Sequence, residues 1–155
     1  MIKLGKLTDY AIVVMGQLSK ESEGVSRSAH HLSGKTGVPE PTVAKVLKLL
    51  AKESLVVSVR GAAGGYKLAK APDRISMAEI ITALDGPIAL VSCVEGSDES
   101  CKIASTCPVK GHWDPLNNAI KEALEKVKLA DMGASPCGNN YDFTQEAPSA
   151  VKEMK

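Results

Sequence analysis

Between Thr8 and Leu18 the apolar residues Ala11, Ile12, Val14, Met15 and Leu18 recur at three- and four-residue steps, the period of a helix with one buried face. Thr8 stands where a cap is expected, and Asp9 then falls in the first turn, where the helix dipole favours a carboxylate. A shorter helix is expected after Ser28 as its cap, ending near Gly37, whose missing side chain permits a left-handed terminal residue. His30 and His31 lie on it. Adjacent helical residues point about 100° apart, so this pair is expected on the solvated surface rather than around one ligand.

The segment Gly37-Val-Pro-Glu-Pro-Thr-Val43 opens a third helix, with Pro41 acceptable in the first turn because no intrahelical acceptor waits for an amide proton there. Val43, Val46, Leu47 and Leu50 make its buried stripe; Thr42, Lys45, Lys48 and Lys52 make the opposite face. Leu55 to Arg60 is β-branched and strand-like, Gly61 to Gly65 is a flexible turn, and Tyr66 to Leu68 is extended again. This predicts a hairpin with Arg60 near its tip. Ser76 is expected to cap a fourth helix through Met77, Ile80, Ile81 and Leu84, which Asp85-Gly86-Pro87 ends.

A polar, glycine-bearing stretch then leads to Trp113, Leu116, Ile120, Leu124 and Val127, the stripe of a long helix with no later partner in the chain. Such a helix is expected to pack on its own copy in a symmetric dimer. The expected organisation is a DNA-binding unit over 1–86, a cysteine-rich loop over 87–111, a dimerisation helix over 112–132, and a disordered tail over 133–155 that holds Cys137.

Composition narrows the class. The 155 residues include one Trp, one Phe and three Tyr, so the core must come from aliphatic side chains, which suits packed helices. No apolar run approaches the roughly 20 residues of a membrane span, and no signal-peptide pattern opens the chain, so a cytoplasmic protein without membrane contact is expected. In that reducing setting the four cysteines are free or metal-bound thiolates rather than a disulfide framework. The net charge of +1 hides an asymmetry: residues 1–75 carry 12 Lys/Arg against 6 Asp/Glu, and residues 76–155 carry 7 against 12. A basic half joined to an acidic one fits a nucleic-acid module beside a sensing or assembly module.

In order, helix, helix, tight turn, helix and basic hairpin make a mainly α winged helix-turn-helix with a small β-hairpin wing. The third helix would enter the major groove, Thr42 and Lys45 reaching base edges while Lys48 and Lys52 neutralise phosphates. Arg60 suits the negative potential of a narrow minor groove, and Gly64 and Gly65 allow close approach to the DNA backbone. Seven residues separate Cys93 from Cys101, and five more precede Cys107. Soft thiolates select iron–sulfur clusters, zinc or copper(I), and structural zinc sites usually bring closely paired ligands, which this loop lacks.

The segments Lys6-Leu-Thr-Asp-Tyr-Ala11, Thr36-Gly-Val-Pro-Glu-Pro-Thr-Val-Ala-Lys45, Arg60-Gly-Ala-Ala-Gly-Gly-Tyr66, Gly86-Pro-Ile-Ala-Leu90 and Leu129-Ala-Asp-Met132 give the chain from Lys6 to Met132 a further meaning. It resembles the Rrf2 family of regulators, most nearly the branch that controls SUF-system iron–sulfur assembly. The resemblance implies a homodimer on a pseudo-palindromic operator in double-stranded DNA, with Arg60 in the minor groove. It also implies an iron–sulfur cluster, 4Fe-4S or 2Fe-2S, on Cys93, Cys101 and Cys107. Pro41, Thr42, Ala44 and Lys45 occupy the contact stretch of the recognition helix and differ from IscR-like members, so no operator sequence carries over.

The fourth ligand stays open among Asp9, His112, Cys137 and an exogenous donor. Aligning Trp113 with the tryptophan after the loop of IscR-like members puts Lys110 where those members have their histidine ligand. Asp9 matches an aspartate that some NsrR-like members donate across the dimer. The alternatives are a small iron–sulfur redox protein or electron carrier, and a DNA-binding sensor based on zinc or on thiols. No nucleophile with an adjacent base and no phosphate loop points to an enzyme.

Overall fold

The expected stripes converge on one aliphatic core in the computed structural model, which describes residues 3–97 and 100–133. The order is α1 (Lys6–Leu18), α2 (Ala29–Thr36), α3 (Glu40–Lys52), β1 (Val56–Val59), β2 (Gly65–Leu68), a 3-10 turn (Pro72–Arg74), α4 (Met77–Asp85), α5 (Asp114–Lys126) and α6 (Leu129–Gly133). Ala11, Val14 and Met15 of α1 meet Val43, Val46, Leu47 and Leu50 of α3 and Ile80 of α4, all fully buried. β1 and β2 form an antiparallel pair, with Val56 opposite Leu68 and Val59 opposite Gly65. This is the winged helix-turn-helix expected from the chain. Among the described residues, no helix is long and apolar enough to cross a membrane.

The caps expected at Ser28 and Ser76 form, and the one expected at Thr8 does not. Ser28 accepts from the His31 amide, and Gly37 ends α2 in the left-handed region at φ 74°. Ser76 and Glu79 form a reciprocal capping box at α4. Thr8, expected as the cap of α1, lies inside that helix instead, because α1 begins one turn earlier, with Gly5 in the cap position. Its side chain is fully buried, and among the described residues Oγ1 has no hydrogen-bond partner. The Gly5 amide finds its acceptor on Asp85 at the end of α4, 3.3 Å away, so the start of α1 is satisfied by tertiary structure.

The single long helix expected over 112–132 is two. α5 ends at Lys126, and Val127 turns extended. The chain there pairs with the entry to α4: the Met77 amide donates to the Val127 carbonyl (2.9 Å), and the Leu129 amide to the Ile75 carbonyl (2.8 Å). Asp131 accepts from the Lys128 amide (2.7 Å), and Leu129, fully buried, returns α6 to the core beside α1. Backbone bonds to another segment override a periodicity that reads as continuous.

Glu79 gives the fold an acid-sensitive element. Burial pushes its carboxyl up, but Lys70 at 2.6 Å and the Ser76 amide at 2.9 Å outweigh this and hold it below its ordinary 4.5. A carboxyl lowered by folding stabilises the protein above its unfolded value and loses that contribution as pH falls through the folded one. Thermal melts from pH 6 to pH 3 should therefore show stability falling below about pH 4.5, with Glu79→Gln flattening that limb. Ser76→Ala should cost about 1 kcal/mol at pH 7; an unchanged midpoint would remove the cap from the account.

Candidate nucleic-acid interface and thiol segment

Helix α3 presents two chemically distinct faces. Burying Val43, Val46, Leu47 and Leu50 turns Pro41, Lys45, Lys48 and Lys52 outward, all exposed, with Thr42 half-buried at their edge. Arg60 is exposed immediately after β1. Among the described residues none of Lys45, Lys48, Lys52 or Arg60 has an ion-pair partner. These cations are therefore free to meet phosphates, whereas Arg27 and Lys70 are already paired with Glu21 and Glu79.

The wing is fastened to the α1–α2 connection by residues that sequence reasoning passed over. Arg27 exchanges two backbone hydrogen bonds with Tyr66, both 2.8 Å, and so acts as a one-residue third strand beside β2. Ser26 Oγ donates to the Ala63 carbonyl at 2.6 Å. The only sequence signal for this junction is the glycine pair. A Cβ on Gly65, whose φ is 151°, would lie 2.4 Å from the Arg27 carbonyl, and one on Gly64 would lie 2.6 Å from the Val59 carbonyl oxygen. Both glycines are thus required by the chain's own packing.

A polar node holds this junction from beneath. Glu21 binds the Arg27 guanidinium at 2.6 Å and the Gln17 amide at 3.3 Å, and His31 Nε2 stands 3.6 Å away. Hydrogen bonding from Arg27 is the main reason its carboxyl sits below the ordinary value. His30 is solvated, as expected, and pairs with Glu40 at the start of α3 (2.9 Å). His31 instead turns half inward towards Glu21.

Cys93, Cys101 and Cys107 are half-buried free thiols on the segment between α4 and α5. The described residues of the segment form turns, in which the Cys101 carbonyl accepts from the Ala104 amide and the Cys107 carbonyl from the Lys110 amide. Among the described residues, no three His, Cys, Asp or Glu side chains converge as a metal site. The donor chemistry suits an iron–sulfur cluster, and gathering the thiols would disturb turns rather than core. Asp9 is exposed on the first turn of α1, and His112 is exposed in the turn before α5. Cys137 lies outside the described residues.

Residues 4–135 match the Rrf2 family model, described as an iron-dependent transcriptional regulator. The chain is 30% identical to the HTH-type transcriptional regulator IscR of Erwinia tasmaniensis, over 79% of this chain and 73% of that one. Its fold is similar to that of CymR, the global cysteine regulator of B. subtilis, at a TM-score of 0.67 and 30% identity, covering 86% of this chain and 97% of CymR. It is also similar to T. potens IscR, at a TM-score of 0.62 and 30% identity, covering 84% and 85%. These relatives are transcriptional regulators, not enzymes, which sets aside the redox-protein alternative.

Gly65→Ala should force the wing away from Arg27 and cost about 1–3 kcal/mol. Hydrogen exchange is the measurement: the Arg27 and Tyr66 amides should lose protection while the amides of α3 keep theirs. Retained protection at Arg27 and Tyr66 would show that the wing accommodates the methyl group.

Proposed function

This chain belongs to the Rrf2 family of transcriptional regulators, and from that premise we propose a cytoplasmic homodimer whose operator affinity is set by its cysteine segment. The observation that carries this reading is the placement of three free thiols on one turn-built segment between a winged helix and α5. Each protomer lays α3 in a major groove of a pseudo-palindromic operator in double-stranded DNA. Pro41, Thr42 and Lys45 face base edges there, and Lys48 and Lys52 neutralise phosphates. Arg60 enters the minor groove, and Gly64 and Gly65 keep the hairpin tip thin enough to approach the backbone.

The second copy covers the open face of α5, where Trp113 and Leu116 are 36% and 49% exposed although both are large and apolar. Cys93, Cys101 and Cys107 hold an iron–sulfur cluster, with Asp9 of the other protomer as the fourth donor. When bound, the cluster supplies a centre that reports iron–sulfur status and oxidative or nitrosative damage, the signal for SUF-type assembly genes. The chain's own contribution is to draw the segment together, which ties its conformation to α5 and, through Asp9, to the DNA-binding unit.

Direct thiol sensing is the second reading. It is favoured by three free thiols that, among the described residues, do not converge as a metal site, and by the likeness to a regulator described as the global cysteine regulator of B. subtilis.

Anaerobic reconstitution with iron and sulfide separates the two. A coloured protein with matching iron and sulfide, and a shorter-lived centre in Asp9→Ala, is the expected result. A colourless protein with stoichiometric zinc or only thiol oxidation would overturn the cluster reading. In DNA titrations, Lys45→Ala and Arg60→Ala should each weaken operator binding about tenfold or more without changing cluster content. Wild-type affinity in both variants would take these residues out of the interface.

A further inference from the structure

The three thiols sit on two unlike limbs of their segment. The limb carrying Cys93 is docked: Val94 beside it is buried, and α5 holds the backbone on both sides. The Asn117 carboxamide, only 3% exposed, accepts from the Leu90 amide at 2.9 Å and donates to the Ile88 carbonyl at 3.0 Å. Asp114, three residues earlier and so on the same face of α5, accepts from the Glu95 amide at 3.2 Å. The limb from 100 to 111, carrying Cys101 and Cys107, has no buried residue and is joined by short-range turn bonds such as Thr106 N–H to the Ile103 carbonyl.

We propose that Asn117 is a positioning residue: with Asp114 it clasps the chain around Cys93, making Cys93 the fixed thiol of the set and the one whose movement is transmitted to α5. A polar side chain as buried as that of Asn117 is costly unless its bonds are made, and among the described residues the Asn117 carboxamide bonds only to this segment. Ligation that joins the limbs therefore draws the Cys101 and Cys107 limb towards Cys93, and the pull reaches α5 through two side chains in its first turns. This inference rests on the cysteine segment being the sensing element. A chain that takes up no cluster would overturn the cluster reading and leave the thiol asymmetry standing.

The experiment uses the reduced full-length chain without cluster, alkylated with iodoacetamide and followed site by site by peptide mass spectrometry. All three thiols are half-buried, so the change at each thiol between the wild type and the variant reports tethering. Cys93 should react more slowly than Cys101 and Cys107. Asn117→Ala should raise the Cys93 rate about three- to tenfold while the other two stay within about twofold, the span expected for releasing buried hydrogen bonds. Asn117→Asp, which keeps the acceptor for Leu90 and loses the donor to Ile88, should fall between. Equal rates at all three sites in the wild type, or a uniform rise in the variant, would overturn the proposal. Hydrogen exchange of the wild type gives an answer even if Asn117→Ala fails to fold: Leu90 and Glu95 amides should be protected relative to residues 100–111, and equal exchange would sink the clasp.

Discussion

The buried face of α1 is the constraint from which the remaining structure follows. Ala11, Val14 and Met15 are fully excluded from solvent, and the helix that carries them touches α2, α3, α4, α6 and β2. A core built around one helix has no slack for a different rotation of its neighbours, because close-packed aliphatic side chains interlock. The rotation of α3 is therefore decided from within. Once Val43, Val46, Leu47 and Leu50 face α1, the three lysines on the reverse side have nowhere to go but outward.

The same core fixes the reach of the wing. β1 follows α3 after one tight turn, in which the Leu55 amide bonds to the Leu50 carbonyl, and Leu55 and Val56 are buried. β2 returns along β1 and meets Arg27, so the hairpin is held at its base from two directions. The turn is held as well, by the Ser26 hydroxyl on the Ala63 carbonyl. Free lysines on α3 and Arg60 on the wing thus form parts of one rigid cationic surface, the arrangement that long-range attraction to a polyanion rewards.

On the other side of the molecule the organising contacts are polar. Asn117 and Asp114 fasten residues 88–95 to α5, and the backbone bonds of Val127 and Leu129 to the 75–77 stretch fasten the far end of α5 to α4. The helix is therefore joined at its start to the stretch around Cys93 and at its far end to the entry of α4. Leu116 of α5 and Trp113 just before it are left open beside the first of these anchors. Hydrogen bonds of this kind contribute modestly to stability, but their directionality fixes register in a way that apolar contact cannot.

Much of this was legible in the chain because the information was local. Period and capping residues located α1 to α4 and the hairpin, and all four expected core positions of α3 are buried, since a helix shows the same face to its neighbour whatever that neighbour is. The cysteines and the basic face were legible for the same reason. What tertiary structure alone decided depends on partners distant in sequence: Asp85 moved the start of α1 past Thr8, the 75–77 backbone broke α5 from α6, and Arg27 explained Gly65. Asn117 reads as an ordinary polar helical residue until Ile88 and Leu90 are placed beside it. Side-chain periodicity specifies which face is buried, whereas the partner of a buried polar atom is set by where the folded chain brings its complement, and no local pattern encodes that meeting.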